Sequence, residues 1–145
     1  GSTEENFKTS MTAFSITAIG NSTELLWRKT RVDDYIYVGG LPLVGDEVLK
    51  NQEKIISLKN IKNIINNLTP GDILPCGSNG IKKELEVLKK ENNIGYSLYK
   101  DLKVNINKSS GPATCLIFTS KDRITQRDVD FNLLEIGQII ESGVK

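Results

Sequence analysis

Stretches with helical spacing interleave with short, β-branched apolar runs, and that alternation is what most narrows the folds open to this chain. From Ser57 the residues Leu58, Ile61, Ile64, Ile65 and Leu68 recur at helical intervals until Pro70-Gly71. Ile81, Leu85 and Leu88 define a second stripe that ends near Asn92-Asn93 and Gly95. A shorter helix is expected through Val48 and Leu49, after Pro42 and Gly45, with Asp46 as its N-cap. Between these helices lie strand candidates. They are 11–19 (MTAFSITAI), Tyr35 to Val38 ending in a turn at Gly39-Gly40, the brief run Ile73-Leu74, Tyr96 to Tyr99, the alternating Leu102, Val104 and Ile106, and the continuous Ala113 to Thr119. A short amphipathic piece surrounds Leu25, Leu26 and Trp27. Residues Phe131 to Glu141 fit a helix or a bent strand equally well by periodicity.

With 145 residues, one domain-sized core is expected. Acidic and basic residues almost cancel at a net charge of +1, which excludes the strong basic field that gathers nucleic acid. No window is apolar enough to span a membrane. The chain contains no histidine, so chemistry would have to run on carboxylates, backbone amides and a bound metal. Cys76 and Cys115 stand apart in apolar surroundings and read as buried thiols. No secretory leader pattern stands at the start, which predicts a cytoplasmic protein, and leaves Asn21, Asn67 and Asn107 as unmodified N-x-S/T triplets. The opening Gly1-Ser2-Thr3 lacks an initiator methionine, which places the natural start upstream or makes Gly1-Ser2 a tag remnant.

Three polar, small-residue segments could carry chemistry. Gly1 to Asn6 (GSTEEN) could offer amides to a phosphate while Glu4 or Glu5 holds Mg²⁺, or it is a frayed terminus. Gly77-Ser78-Asn79-Gly80 stands at a helix N-terminus, where amides and dipole favour an anion, or where Ser78 simply caps the helix. Lys108 to Pro112 is a polar turn between strands. The lysines and glutamates from Lys82 to Glu91 read as a solvated helix face.

Taken in order, these segments resemble the aminoimidazole-ribonucleotide synthetase (PurM-like) superfamily, which includes thiamine-monophosphate kinase, selenophosphate synthetase and hydrogenase-maturation proteins. The resemblance rests on Gly1 to Asn6, the strand at 11–19, Leu25 to Asp46 (LLWRKTRVDDYIYVGGLPLVGD), Pro75 to Gly80 with its helix, Ser110 to Thr119 (SGPATCLIFT) and Leu134 to Ile140 (LEIGQII). The wording GSTEENF, PCGSNG and KSSGPAT looks most like the α-ribazole kinase-like branch.

That resemblance implies an α/β fold of α+β type, a mixed β-sheet with helices packed on one face, and makes the last segment a strand. Residues 1–22 would be the final loop and strand of a preceding ATP-binding domain, and 23–145 the carboxy-terminal domain. The implied activity is that of an ATP-dependent phosphotransferase or synthetase acting on a small phosphorylated or nucleoside-like metabolite. Its cofactors would be ATP and Mg²⁺, and the complete protein would be a homodimer. Nucleotide phosphates would meet Gly1, Ser2, Thr3, Asn6, Gly40 and Gly45, with the metal at Glu4 and Glu5. The substrate would meet Gly77, Ser78, Asn79, Gly80, Ser110 and Gly111. Where the family's turn carries aspartates this chain has Ser78 and Asn79, which keeps open the alternative of a non-catalytic ligand-binding or self-association module.

Overall fold

In the structure, a computed structural model, residues 17, 19–23 and 27–143 are described. Among the described residues five strands form one sheet: β1 (Tyr35–Gly40), β2 (Ile73–Pro75), β3 (Gly95–Leu98), β4 (Cys115–Ser120) and β5 (Leu133–Ile140). Their spatial order is β2-β4-β1-β5-β3, and every neighbouring pair is antiparallel. The sheet is thus not mixed as the resemblance implied. The last segment is a strand, as it did imply.

Helices cover both faces rather than one, because the central strands are apolar on both sides. Ile36 and Val38 of β1 and Cys115 and Ile117 of β4 face one way, and α3 (Gly80–Asn92) lays Ile81, Leu85 and Leu88 over them. Tyr37, Leu116 and Phe118 face the other way and meet Ile61 and Ile64 of α2 (Leu58–Asn67) and Leu68, which caps its end. A half-buried sheet would alternate polar and apolar residues; a continuous run such as Cys115 to Phe118 needs cover on two sides.

β5 serves both layers through a bulge. Ile36 lies opposite Gly137 while Tyr37 lies opposite Glu135, so Ile136 is the extra residue. The bulge shifts the alternation by one, and Leu134, Ile136 and Ile139 all reach the α3 side.

Several local expectations are corrected. Gly39-Gly40 is the end of β1 and not a turn, opposite Leu116 and Cys115. Gly45 and not Asp46 occupies the cap position of α1 (Asp46–Lys50), and Glu47 accepts the Val44 amide at 3.1 Å. In α2, Leu58 and Ile65 are 79% and 42% exposed, while Asn60 takes a buried place. Its amide oxygen accepts from the Ser57 amide in a capping box, and its nitrogen reaches Asp130. Leu102, Val104 and Ile106 lie in irregular turns, with no strand to pair with, yet their side chains pack on the α3 layer. The alternation there reports which side chains are buried, not a ladder.

Of the strand expected at 11–19, residues 11–16 and 18 lie outside the described residues; Thr17 and Ile19 have no regular structure. Leu25 and Leu26 also lie outside them, and Trp27 is exposed, its indole N–H bonded to Glu91 at 2.9 Å.

Tyr37 ties the α2 layer to the chain after β4. Its ring stacks on Phe118 at 5.2 Å and its hydroxyl oxygen accepts the Ile124 amide at 2.8 Å. Burial pushes this phenol up to about 12. Tyr37→Phe leaves a buried amide without its acceptor, so a loss of about 1–2 kcal/mol is expected. Urea unfolding should show a lower midpoint with an unchanged slope.

Candidate functional site

The strand register decides which loops meet. Gly40, Cys115 and Leu133 all lie at one end of the sheet, together with Pro75, where β2 runs out. Three loops distant in sequence therefore converge there: 41–47, 76–80 and 108–114.

They are bonded to one another rather than merely adjacent. The Ser110 amide donates to Gly77 O at 3.1 Å, joining the second and third loops. Thr114 joins the third to the first: its hydroxyl accepts from the Leu43 amide at 2.9 Å and lies 2.9 Å from Leu41 O. Lys108 Nζ donates to Glu47 Oε2 at 2.7 Å, and this bond, with one from Val44 N, holds the Glu47 carboxyl below its ordinary range.

The substrate residues implied by the resemblance are thus gathered in one place, but they do different work. Ser78, Asn79 and Gly111 are exposed. Ser110 is buried, with its hydroxyl within 3.0 Å of Thr114 Oγ1 and 3.1 Å of Cys115 Sγ, so it staples the loop. Gly80 has φ +73, and a side chain there would meet Lys108 O at 2.7 Å and Ile106 O at 2.8 Å. Its missing Cβ is what lets the third loop lie against the start of α3. The first amides of α3 are partly engaged, Gly80 N with Gly77 O and Lys82 N with Ile106 O at 2.9 Å.

Of the residues assigned to the nucleotide, Gly1, Ser2, Thr3 and Asn6 lie outside the described residues, as do the metal candidates Glu4 and Glu5. Gly40 is buried, and the space beside it is filled by Thr114 O and Ile56 N, which leaves no approach for a phosphate. Gly45 is exposed, with φ +54 and open space where a Cβ would stand. Among the described residues, no three Asp, Glu or Cys side chains converge on a metal position.

Cys76, just past β2, and Cys115, at the start of β4, are free, buried thiols, as expected. A hydrogen bond with Cys115 and burial both push the Cys76 thiol up, away from the reactive thiolate.

Two elements were not singled out from the sequence. Thr114 lay within an expected strand, where a hydroxyl carries no distinguishing signal. Asp72 follows the helix stop at Pro70-Gly71, and a charged residue directly before the apolar Ile73-Leu74 is a usable sign. Its carboxylate is buried and accepts from Thr30 Oγ1 at 2.7 Å, Asn92 Nδ2 at 2.9 Å, and the Lys29 and Thr30 amides at 3.2 Å.

The fold and the loop cluster define an α+β domain with a five-stranded antiparallel sheet between helices. Compared with known proteins, the chain matches no family model and no curated sequence. Among the described residues no helix is long and apolar enough to cross a membrane.

Proposed function

We propose that this chain is the acceptor-substrate side of an ATP-dependent phosphotransferase or synthetase, with Ser78, Asn79 and Gly111 presented to a small phosphorylated or nucleoside-like metabolite. The observation that carries the reading is the convergence of the 41–47, 76–80 and 108–114 loops, whose hydrogen bonds hold three separate segments of the resemblance together. Phosphoryl transfer needs positioning and charge neutralisation more than covalent chemistry from the protein, so an exposed rim of hydroxyl, amide and backbone groups on a bonded frame suits the acceptor. ATP and Mg²⁺ belong, in this reading, to a preceding domain and to Glu4 or Glu5.

The test is ADP formation by a polypeptide that includes the ATP-binding domain, assayed against a panel of nucleosides and their monophosphates. With Ser78→Ala and Asn79→Ala combined, the KM for the acceptor should rise about tenfold, the equivalent of one lost hydrogen bond, while that for ATP stays constant. Turnover that no acceptor stimulates, or a change in the ATP constant alone, would remove the loops from the substrate site.

A second reading, a non-catalytic ligand-binding or self-association module, is favoured by the Ser78-Asn79 turn and by the α3 amides already bonded within the chain. Sedimentation that reports a dimer, with no calorimetric signal from phosphorylated metabolites, would select it.

A further inference from the structure

Cys76 and Cys115 have no part in the acceptor site, yet the strand register brings them face to face. The β2–β4 ladder pairs Pro75 with Leu116, and one residue further Cys76 lies opposite Cys115, its amide donating to Cys115 O at 3.0 Å. Opposed residues bonded in this way have Cα atoms about 5.5 Å apart, inside the span of roughly 4.4–6.8 Å that a disulfide bridges. Both side chains enter the α3 layer, and the two thiols are hydrogen-bonded to each other. The second backbone bond of an ordinary pair is missing, because the Cys115 amide donates to Ser110 Oγ at 3.2 Å instead. One bond alone therefore sets the spacing of the pair.

Both thiols are fully buried, so an oxidant reaches them only when the structure opens locally. The position of the pair provides that opening. β2 is at the border of the sheet and three residues long, and Cys76 stands just past its end. A short border strand parts from its neighbour at a smaller free-energy cost than unfolding of the whole domain. The two sulfurs also differ in character. The hydrogen bond with Cys76, supported by one with Ser110, holds the Cys115 thiol below its ordinary value against the effect of burial, while Cys76 is pushed up. Cys115 is thus the first nucleophile of the two.

We propose that Cys76 and Cys115 close a reversible cross-strand disulfide, with a small-molecule disulfide as the oxidant, and so tie the 76–80 turn covalently to the base of the 108–114 loop. The Cys115 thiolate attacks one sulfur of the oxidant, whose S–S bond breaks and releases a thiolate that takes up the proton Cys115 gave up. Cys76 then loses its proton and attacks the Cys115 sulfur of the mixed disulfide, displacing the second thiol. Two protein thiols are oxidised to one disulfide, and the oxidant is reduced to two thiols. As Cys115 Sγ turns to Cys76 it gives up its 3.1 Å contact with Ser110 Oγ, but Ser110 keeps Thr114 Oγ1 at 3.0 Å. The loop gains a covalent tie and keeps its staple. This device does not depend on the activity proposed for the loop cluster.

Incubating the folded 145-residue chain with excess oxidised glutathione, then alkylating the remaining thiols and weighing the product by mass spectrometry, tests it directly. The expected product is a single chain lighter by two hydrogen atoms and free of glutathione, with the peptides that contain Cys76 and Cys115 joined. Dithiothreitol should return it to the starting mass. Urea unfolding of the oxidised chain should show a raised midpoint, because the bridge restricts the unfolded state, and hydrogen exchange in 76–80 and 108–114 should slow. Cys76→Ser, which has no second thiol to close the bridge, should stop at a glutathione adduct on Cys115. The proposal is overturned if the native chain stays reduced, or if it carries glutathione without closing the bridge. It is equally overturned if the disulfide joins two chains, or if the oxidised chain unfolds at a lower urea concentration than the reduced one.

Discussion

Gly80→Ala is expected to cost on the order of 4 kcal/mol and to loosen the loop cluster before the rest of the fold gives way. About 1–2 kcal/mol of this comes from forcing an L-residue into the left-handed conformation that Gly80 adopts. The remainder is steric, since the new methyl would stand 2.7 Å from Lys108 O and 2.8 Å from Ile106 O, and backbone cannot swing aside as a side-chain tip can. To relieve the contact, 106–108 must retreat, which breaks the Lys82 N bond to Ile106 O and pulls Lys108 from Glu47. Thermal unfolding should show a drop of many degrees, and hydrogen exchange in 105–114 should accelerate more than in the central strands. Gly77→Ala has open space beside it and is the control: it should change either quantity little. Equal losses in the two variants would sink the steric account.

Asp72→Asn is the second large effect, expected at about 3 kcal/mol despite the near-identical shape. Four donors converge on the carboxylate, and an amide can offer only one acceptor oxygen in place of two. Its NH₂ would face Thr30 or Lys29 donors head-on. Burial opposes ionisation of Asp72, but the Thr30, Lys29 and Asn92 hydrogen bonds prevail and hold its carboxyl below the ordinary value of 3.8. A carboxyl with a depressed folded pKa contributes stability that is present above its unfolded pKa and is lost as pH falls through the folded one. The gap between wild type and Asp72→Asn should therefore be constant near neutrality and close below about pH 4. Asp34, raised first by burial and further by the Asp72 charge, acts in the opposite sense and loses that second contribution in Asp72→Asn, which narrows the gap slightly without reversing its trend. Melts recorded from neutral to acidic pH would decide the matter; a gap that widens on acidification would contradict the assigned ionisation.

Helices were the legible part of this sequence. The stripe of α3 and the start of α2 at Ser57 follow from helical spacing, which is local. What was not legible is set by partners far along the chain. The sheet is antiparallel because of how its connections return, and no window reports that. The bulge at Ile136 lets β5 feed the α3 layer from both parities, which is why periodicity over Phe131 to Glu141 could not separate helix from strand. Gly39-Gly40 looked like a turn because glycine commonly is one; in the sheet it answers to crowding, since a Cβ on Gly39 would stand 3.2 Å from Phe131.

The site divides the same way. Gly77 to Gly80 and Ser110-Gly111 were visible as polar, glycine-bearing turns, and they do meet in space. That Ser110 would be buried and Gly40 blocked depends on Thr114, whose hydroxyl links loops more than seventy residues apart, a relation invisible to any local pattern.

The two rims of the sheet carry a consequence for solubility. β2, on one side, is three residues long and ends in Pro75; β3, on the other, is four residues long and starts at Gly95. Among the described residues neither offers the long, flat row of unpaired amides that templates strand addition, and proline removes a donor from one of them. Strand-by-strand polymerisation of copies of this domain is disfavoured at both borders, so crowded or concentrated solutions should not drive it into fibrils while it stays folded.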